Sequence, residues 1–292
     1  MKITIVTTSP ESFEEEIKRT QEEAEKIGHE FDILDLEDFS FIIENGKINL
    51  DWVDGDVSDV YILRGIMHSQ KQITELILHL REKGARVFDN NFMEHKYSID
   101  KATDLIKLTL NGVKVPDTYY GRDFNEYPKY AKKLGYPLIF KSAKSGKGEN
   151  IYKAENEDDV VGLAKGIKDK GKDAKLFLIQ EFIPYKYDLR CLVIGEDIFT
   201  MQRIPKEGDF RANYSLGGEV ELFDLDDAGK KLAVDALNAV GMTIGGVDIL
   251  MTEDDKRYIL EVNHTAGFVG MEKATGENIA KIYLEHAIEK AK

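Results

Sequence analysis

Strand-like runs of apolar and β-branched residues alternate with amphipathic helical segments through the first ninety residues of the chain. Lys2–Val6, Glu30–Leu34 and Val60–Leu63 have the composition of strands, whereas Glu11–Ile27 and Thr74–Lys83 have helical periodicity. Strands that alternate with helices are typical of a parallel sheet whose faces are covered by the helices. We therefore predict a small parallel α/β domain at the N-terminus.

The remainder of the chain is less regular, and strands dominate its last third. A length of 292 residues fits two or three domains. We place domain boundaries near residues 95 and 178, where the character of the sequence changes. This division gives an α/β domain at 1–95 and two α+β domains at 96–178 and 179–292.

Charge and cysteine content exclude several classes of function. The chain has 40 Lys and Arg against 54 Asp and Glu, a net charge of −14 that repels nucleic-acid backbones. Its single cysteine, Cys191, cannot close an intrachain disulfide, which fits a reducing compartment. No apolar run is long enough for a signal peptide or a membrane helix. We expect a soluble, cytoplasmic protein with no nucleic-acid or membrane partner.

The segment Lys141–Ile151 (KSAKSGKGENI) is rich in glycine and lysine. Gly146 and Gly148 allow the backbone to approach a ligand closely, and Lys144 and Lys147 add positive charge. The segment is not a phosphate-binding loop of the Walker A type, and a strand follows it instead of a helix. It predicts either a flap between two strands that covers a phosphate, or an ordinary solvated hairpin.

Two strands near the C-terminus carry acidic side chains. Gly245–Met251 and Arg257–Thr265 flank a polar turn, so an antiparallel hairpin places Asp248 opposite Glu261. Asn263 lies two residues further on, on the same face. Two carboxylates and an amide oxygen suit magnesium, which often takes few protein ligands together with substrate phosphates. The alternative is a solvated polar face without a metal.

Basic residues cluster in an otherwise acidic chain. Arg190, Arg203, Lys206 and Arg211 lie close to one another in sequence, and arginine recognises phosphate and carboxylate through two parallel hydrogen bonds. Each of them alone is more simply explained as a surface charge paired with Glu or Asp. Together with the flap and the acidic hairpin, however, they supply the charge neutralisation and positioning that phosphoryl transfer from ATP requires.

Four long motifs resemble one known family. DLRCLVIGE (Asp188–Glu196), RIPKEGDFRANYSLGG (Arg203–Gly218), GVDIL (Gly246–Leu250) and EVNHTAGFVGMEKATG (Glu261–Gly276) resemble the RimK-type ATP-grasp amide ligases, the α-L-glutamate ligase family. The resemblance covers roughly residues 98–292. It implies an ATP-grasp fold, α/β and α+β, with 1–95 as an N-terminal parallel-sheet pre-ATP-grasp domain. It makes 96–178 the central lid domain and 179–292 the C-terminal catalytic domain.

The resemblance also implies roles for individual residues. Lys101 and Lys141 are implied to contact the ATP phosphates, and the flap residues Ser145, Gly146, Lys147 and Gly148 to close over them. Glu181 and Phe182 are implied to lie beside the adenine. Contacts elsewhere on the nucleotide are implied for Asp188, Arg211, Ala212 and Asn213. The implied metal ligands are Asp248, Glu261 and Asn263. The implied catalytic residues, which orient the carboxylate and stabilise developing charge, are Arg190, Arg203 and Arg211.

Two segments depart from the family pattern. Glu149-Asn150 replaces a usual glycine in the flap, although Asn tolerates a positive φ, so the flap can still close. The stretch HTAGFVG (His264–Gly270) replaces a more usual small-residue and Pro-Gly stretch beside the metal site. Both departures bear on substrate identity more than on the type of reaction.

The expected activity is an ATP- and magnesium-dependent ligation of a carboxylate to an amine, with manganese as an alternative metal. We expect L-glutamate to be added to an acceptor carboxylate through an acyl-phosphate, with release of ADP and phosphate. Alternatives are an amino-acid-biosynthesis ligase that acts on a carrier protein, a glutathione-synthase-like ligase, and, in another class, a non-catalytic ATP-binding regulatory module. Because relatives of this kind commonly associate, we expect a homo-oligomer.

Overall fold

A computed structural model describes residues 1–50, 57–66, 69–89, 100–143, 150–168, 177–204 and 219–292. Several predictions fall outside these ranges. They are the boundary near residue 95, Lys206, the flap residues Ser145, Gly146, Lys147 and Gly148, and the nucleotide-contacting segment Arg211, Ala212 and Asn213.

The N-terminal region forms the predicted parallel sheet. Its strands are β1 (Lys2–Thr7), β2 (Glu30–Asp35), β5 (Val60–Leu63) and β6 (Arg86–Phe88), in the order β2-β1-β5-β6. Between β2 and β5 lies a separate hairpin, β3 (Phe41–Glu44) and β4 (Lys47–Leu50). Both faces of β1 and β5 are apolar and buried, with α1 (Glu14–Lys26) on one side and α2 (Gln70–Glu82) on the other. Continuous apolar runs suit strands that are covered on both faces.

A second, antiparallel sheet follows in the middle of the chain. It contains β7 (Thr118–Tyr119), β8 (Leu138–Ser142), β9 (Ile151–Ala154) and β10 (Phe177–Glu181), in the order β7-β10-β8-β9. Helices α4 (Tyr127–Leu134) and α5 (Glu157–Lys168) share one core with this sheet. The boundary predicted at residue 178 falls inside β10, so strand pairing favours a division after Glu181. The three-domain division itself stays a prediction.

Helix α3 (Lys101–Leu110) precedes the second sheet in the chain and packs against both this sheet and the third one. Its buried residues Ala102 and Leu105 pack on Leu178 of β10, whereas Leu108 joins the core of the third sheet. The N-terminal end of α3 therefore lies where the second and third sheets meet.

The third sheet contains five antiparallel strands. They are β11 (Tyr187–Ile194), β12 (Asp197–Ile204), β13 (Glu219–Leu222), β14 (Ile244–Met251) and β15 (Arg257–Asn263), in the order β13-β12-β11-β14-β15. One face is apolar and packs on α6 (Asp227–Ala239). The other face is apolar at one end, where Leu192 and Ile194 join the core of the N-terminal domain, and charged at the other. The charged end is the candidate site.

The N-terminal domain and the third sheet are joined by α7 (Val269–Thr275) and α8 (Ile279–Lys290), which share a core with α1 and β1. A polar group that we call the interdomain cluster, Arg19, Glu22, Glu23, Glu272 and Asn278, adds hydrogen bonds across this junction. Within the described ranges, no helix is both long and apolar enough to cross a membrane.

Candidate active site

Three neighbouring strands bring the predicted metal ligands together on one face of the third sheet. Arg190 on β11 pairs with Asp248 on β14, which in turn pairs with Glu261 on β15. A shift of register follows Asp248, so Glu261 stays opposite it while Leu260 is an extra residue in β15. Asn263 lies two residues beyond Glu261 and shares its face. The predicted opposition of Asp248 and Glu261 is confirmed.

Arginines neutralise the two aspartates of this face. Arg203 donates from Nε to Asp188 Oδ1 at 2.5 Å and from Nη2 to Asp248 Oδ2 at 2.8 Å, and Arg190 Nη2 reaches Asp248 Oδ2 at 3.0 Å. Asp188, Arg203 and Asp248 are all buried. Cations of the protein therefore already face Asp188 and Asp248. In this arrangement Arg190 and Arg203 hold carboxylates of the protein.

Burial and shared arginines shift the two aspartates in opposite directions. Burial raises the pKa of Asp188 to about 6, although Arg203 opposes the shift. Burial also acts to raise the pKa of Asp248, but the charges of Arg190 and Arg203 outweigh it and hold that pKa below its usual range. Asp248 thus stays ionised at neutral pH and can act as an anionic ligand.

Lysines from the second sheet and from α3 approach the same carboxylates. Lys101, the first residue of α3, places Nζ 3.3 Å from Glu261 Oε2. Its backbone N–H donates to the carbonyl of Ala143, and the Asp100 side chain caps the helix by accepting from the N–H of Thr103. This cap and backbone bond fix Lys101 beside the end of β8, the strand that carries Lys141.

Lys141 is a buried cation next to this group. Its side chain is almost inaccessible to solvent, and no ion pair to it is found within the described part of the chain. Burial lowers its pKa to about 8, while the charges of Glu261 and Asp248 favour the ammonium form and Lys101 disfavours it. We call Asp188, Arg190, Arg203, Asp248 and Glu261, with Lys101 and Lys141, the sheet-face cluster.

The donor set of this face fits magnesium. Asp248 and Glu261 supply two carboxylates, and the amide oxygen of Asn263 is the third oxygen of the set, since its Nδ2, buried without a partner among the described residues, is an N–H donor and cannot coordinate a cation. No group of three or more His, Cys, Asp and Glu side chains placed to hold a metal is found in the described ranges. Magnesium is commonly bound by one or two carboxylates plus substrate phosphates, so this sparse set is compatible with it. Asp248, Glu261 and Asn263 are the residues that could hold the ion.

Glu181 and Phe182 stand at the end of β10, where their backbone donors are already used. The N–H of Glu181 donates to the carbonyl of Asp117 at 2.9 Å, and the N–H of Phe182 donates to the carbonyl of Pro137 at 3.1 Å. The Lys153 ammonium lies 4.5 Å from the centre of the Phe182 ring. Hydrogen bonds from these N–H groups to an adenine would replace bonds between strands, so the predicted backbone contacts stay a prediction.

The two arms of the predicted flap are present. Strands β8 and β9 pair antiparallel, with Lys141 opposite Ile151. Asn150 enters β9 with φ of 54°, in the left-handed region that the sequence led us to expect for this residue. The residues between the two arms, 144–149, lie outside the described ranges.

One buried pair in the site was not predicted, although His264 lies within a quoted motif. Nε2 of His264 lies 2.8 Å from Oδ2 of Asp104, and both side chains are buried. This contact ties α3 to the residue that follows Asn263. The two residues are 160 positions apart, and no local pattern connects them, so sequence reasoning assigned neither one a role.

Fold and site together define the class of protein. Residues 98–287 match the family model of the RimK-like ATP-grasp domain. The chain belongs to the RimK-like ATP-grasp family, and the resemblance and the ATP-grasp fold predicted from its motifs are confirmed. Named relatives of this family are ligases and synthases, so the chain falls in the class of ATP-dependent ligases.

Individual relatives narrow the comparison. A probable α-L-glutamate ligase of Legionella pneumophila is 27% identical over 299 residues, which cover 100% of this chain and 97% of that protein. β-Citrylglutamate synthase B of Danio rerio is 28% identical over 248 residues, 83% of this chain, but the chain spans only 56% of that longer protein. The ATP-grasp ligase PsnB, solved with a variant of its minimal precursor, Mg and ADP, superposes with a TM-score of 0.73 at 21% identity, covering 98% of this chain and 97% of PsnB.

Proposed function

We propose that the protein ligates a carboxylate to an amine at the expense of ATP and magnesium. In the form we favour, L-glutamate is added to an acceptor carboxylate through an acyl-phosphate, with release of ADP and phosphate. The observation that supports it is the sheet-face cluster, in which Lys101 and Lys141 meet Asp248 and Glu261 from different elements. The glutamate ligases among the relatives support the choice of amino acid.

The residues of the cluster divide the work of the first step. Lys101 and Lys141 present two positive charges to the phosphates, and Glu261 keeps the Lys101 ammonium in place. When bound by Asp248, Glu261 and Asn263, magnesium neutralises phosphate charge during transfer. The acceptor carboxylate oxygen attacks the γ-phosphorus and ADP leaves, which forms the acyl-phosphate.

The second step transfers the acyl group. The glutamate amine attacks the acyl carbon, the C–O bond to phosphate breaks, and the amine proton is lost as phosphate departs. Arg190 and Arg203 fix the position of Asp248 throughout, since both guanidinium groups contact its carboxylate. In this proposal Arg190 and Arg203 therefore act by positioning Asp248, and the charge of the cluster as a whole stabilises the transferring phosphoryl group.

A phosphate-release screen tests this function. The protein would be incubated with ATP, magnesium, L-glutamate and a panel of acceptors: a glutamate-tailed peptide, citrate, a carboxylated cofactor, a carrier-protein peptide and a γ-glutamyl dipeptide. We expect ADP and phosphate together with a new amide product. Release of AMP and pyrophosphate would replace this mechanism by adenylation, and ATP binding without any product would favour the regulatory module.

A matched pair of variants ties the activity to the site. Glu261→Gln should lower product formation by about 10³-fold, since it removes an anionic ligand while keeping side-chain volume. Glu253→Gln, in the exposed turn of the same hairpin, should have no effect. Equal turnover in the two variants would contradict the metal assignment.

A further inference from the structure

Arg64 is a buried cation of the N-terminal domain that the proposed mechanism leaves unused. It follows β5 directly, and its side chain is 5% exposed. Within the described part of the chain, no carboxylate lies within ion-pair distance of it, and its Nε is buried without a hydrogen-bond partner. A buried guanidinium that lacks a counter-charge is costly, because no opposite charge compensates for the hydration it has lost.

The surroundings of Arg64 hold its side chain in place. Nη2 donates to the carbonyl of Ala266 at 3.0 Å, and the guanidinium carbon lies 5.5 Å from the ring centre of Phe13, 5.6 Å from Phe268 and 5.3 Å from Tyr283. Contacts with aromatic faces stabilise a cation but do not satisfy its N–H donors. Among the described residues, the Ala266 carbonyl is the one hydrogen-bond acceptor found for the Arg64 side chain, and its buried Nε has none.

The backbone beside Arg64 is equally constrained. The N–H of Arg64 donates to the carbonyl of Val6 on β1, and Thr8 donates its hydroxyl to the carbonyl of Gly65. Gly65 has φ of 69°, and a Cβ there would meet the Phe13 ring at 2.3 Å. These bonds and the close contact at Gly65 hold the backbone on both sides of Arg64 in place.

Arg64 lines a narrow, partly open cleft between the N-terminal domain and the third sheet. The opposite wall is formed by His264, Thr265 and Ala266, which directly follow the predicted metal ligand Asn263. Ala266 in turn lies against Gly246, where a Cβ would come within 2.9 Å of Ala266 Cβ and 3.4 Å of Arg190 Nη1. The cleft is therefore adjacent to the sheet-face cluster.

We propose that Arg64 binds a carboxylate group of a substrate in this cleft. Two of the arginines expected to orient a carboxylate, Arg190 and Arg203, are occupied by Asp188 and Asp248, whereas Arg64 lines a cleft and its Nε has no partner among the described residues. A carboxylate accepts the two parallel N–H bonds that a guanidinium offers. In this structure the enclosed space of the cleft is about 10 Å³, close to that of one water, so binding of a carboxylate requires the cleft to widen. This inference rests on the proposed function, because it assigns one of that function's substrates to a place.

The carboxylate could belong to the added amino acid or to the acceptor, and two probes separate these sources. Isothermal titration calorimetry without nucleotide or metal would use L-glutamate in one arm and citrate, a polycarboxylate without an amine, in the other. L-Glutaminamide, which has the amine but no carboxylate, is the negative probe. Loss of L-glutamate binding alone on substitution of Arg64 identifies the added amino acid, and loss of citrate binding alone identifies the acceptor.

Arg64→Met keeps the apolar stem among the rings and removes the donors. We expect binding of at least one carboxylate probe to weaken ten-fold or more, whereas Arg86→Met, at an exposed arginine on the neighbouring strand β6, should change it less than two-fold. Arg64→Lys keeps the charge without the planar fork and should lie between the wild type and Arg64→Met. It also serves as the second variant if Arg64→Met does not fold.

Binding that is equal in the wild type and the Arg64 variants would overturn the proposal. So would a wild type that binds neither carboxylate at millimolar concentration. Because the assay contains no ATP, carboxylate binding that depends on Arg64 would survive even if the phosphate-release screen failed. Conversely, ligation that is indifferent to Arg64 would uphold the enzyme activity and reject this subsite.

Discussion

The interdomain cluster and the sheet-face cluster are both networks of arginines and carboxylates, but only one of them is complete. Arg19 donates from Nε to Glu272 at 2.7 Å, from Nη2 to Glu23 at 3.1 Å, and from a third nitrogen to Glu22. Asn278 adds a further bond to Glu23 at 3.0 Å. No buried atom of this cluster lacks a partner within the described ranges.

The sheet-face cluster, by contrast, leaves buried polar atoms without hydrogen bonds. Among the described residues, Asn263 Nδ2 has no partner, and Arg190 Nε and Asp248 Oδ1 face each other as an ion pair at 2.5 Å without hydrogen-bond geometry. Lys141 adds a buried ammonium whose pKa is lowered by burial to about 8. A complete network holds two domains together, whereas an incomplete one keeps donors and acceptors in place for a ligand. The two clusters differ in whether their buried polar atoms have hydrogen-bond partners, and not in whether they carry charge.

The largest expected effect follows from removal of the buried cation of the incomplete cluster. Lys141→Met should lower kcat/KM for ATP by about 10²–10³-fold, because it deletes a charge placed to meet phosphate. Stability should stay the same or rise, since burying the ammonium costs free energy. Steady-state kinetics and thermal melting measure the two quantities. Lys165→Met, on the exposed face of α5, is the control. A loss of stability that parallels the loss of activity would make Lys141 a structural residue.

The pH dependence of the same residue sharpens the comparison. Because the folded-state pKa of Lys141 is about 8 and its usual value is 10.5, the unfolded chain binds more protons between these two values. The stability of the wild type should therefore rise with pH across that window, by up to about 3 kcal/mol, relative to Lys141→Met without nucleotide and metal. Urea unfolding at several pH values measures this difference. A flat difference between the proteins would show that Lys141 is not desolvated.

In the complete cluster, substitution should lower stability and spare the chemistry. Arg19→Met leaves Glu23 and Glu272 without a shared partner, and we expect a loss of about 2 kcal/mol in the free energy of unfolding. Burial would raise the pKa of Glu23, but hydrogen bonds from Lys26, Asn278 and Arg19 hold it at about 2. The wild type therefore loses this stabilisation as pH falls from about 4.5 towards 2, and the variant should lose less. A large fall in kcat for the folded variant would contradict the assignment.

The smallest expected effect concerns the helix cap within the interdomain cluster. The Asn278 side chain accepts from the N–H of Lys281 at the start of α8 and also donates to Glu23. Asn278→Ala should cost about 1 kcal/mol of stability, and Asn278→Ser should recover part of it by keeping the cap. Denaturant unfolding measures both. If the two variants were equally destabilised, the bond to Glu23 would matter more than the cap.

Much of the fold could be predicted from local patterns. The apolar run Val60–Leu63 predicts β5 with the observed bounds, and the polar turn after Met251 predicts the pairing of Asp248 with Glu261. The two-residue strand β7 had no such signal, because it exists through its pairing with β10. Helix α4 begins Tyr-Pro and has few aliphatic residues, so its apolar face is hard to recognise in the sequence.

The site was predictable in its members but not in its contacts. The motifs point to Lys101, Lys141 and Glu261, yet only the fold shows that Lys101 pairs with Glu261 and that Arg203 is shared between two aspartates. Arg64 had one usable signal, its place directly after an apolar parallel strand and before a glycine, where α/β sheets bind ligands. Its lack of a carboxylate partner in the described ranges is a tertiary property that no sequence pattern reveals.

The central claim is that Asp248, Glu261 and Asn263 hold a divalent ion that steadies the ATP phosphates. Electron paramagnetic resonance of Mn²⁺, titrated in the presence of a non-hydrolysable ATP analogue, tests it directly in the wild type, Glu261→Gln, Asn263→Ala and the control Glu253→Gln. We predict that affinity for Mn²⁺ falls at least ten-fold in the first two variants and is unchanged in the control. Equal affinity in all four proteins would contradict the claim.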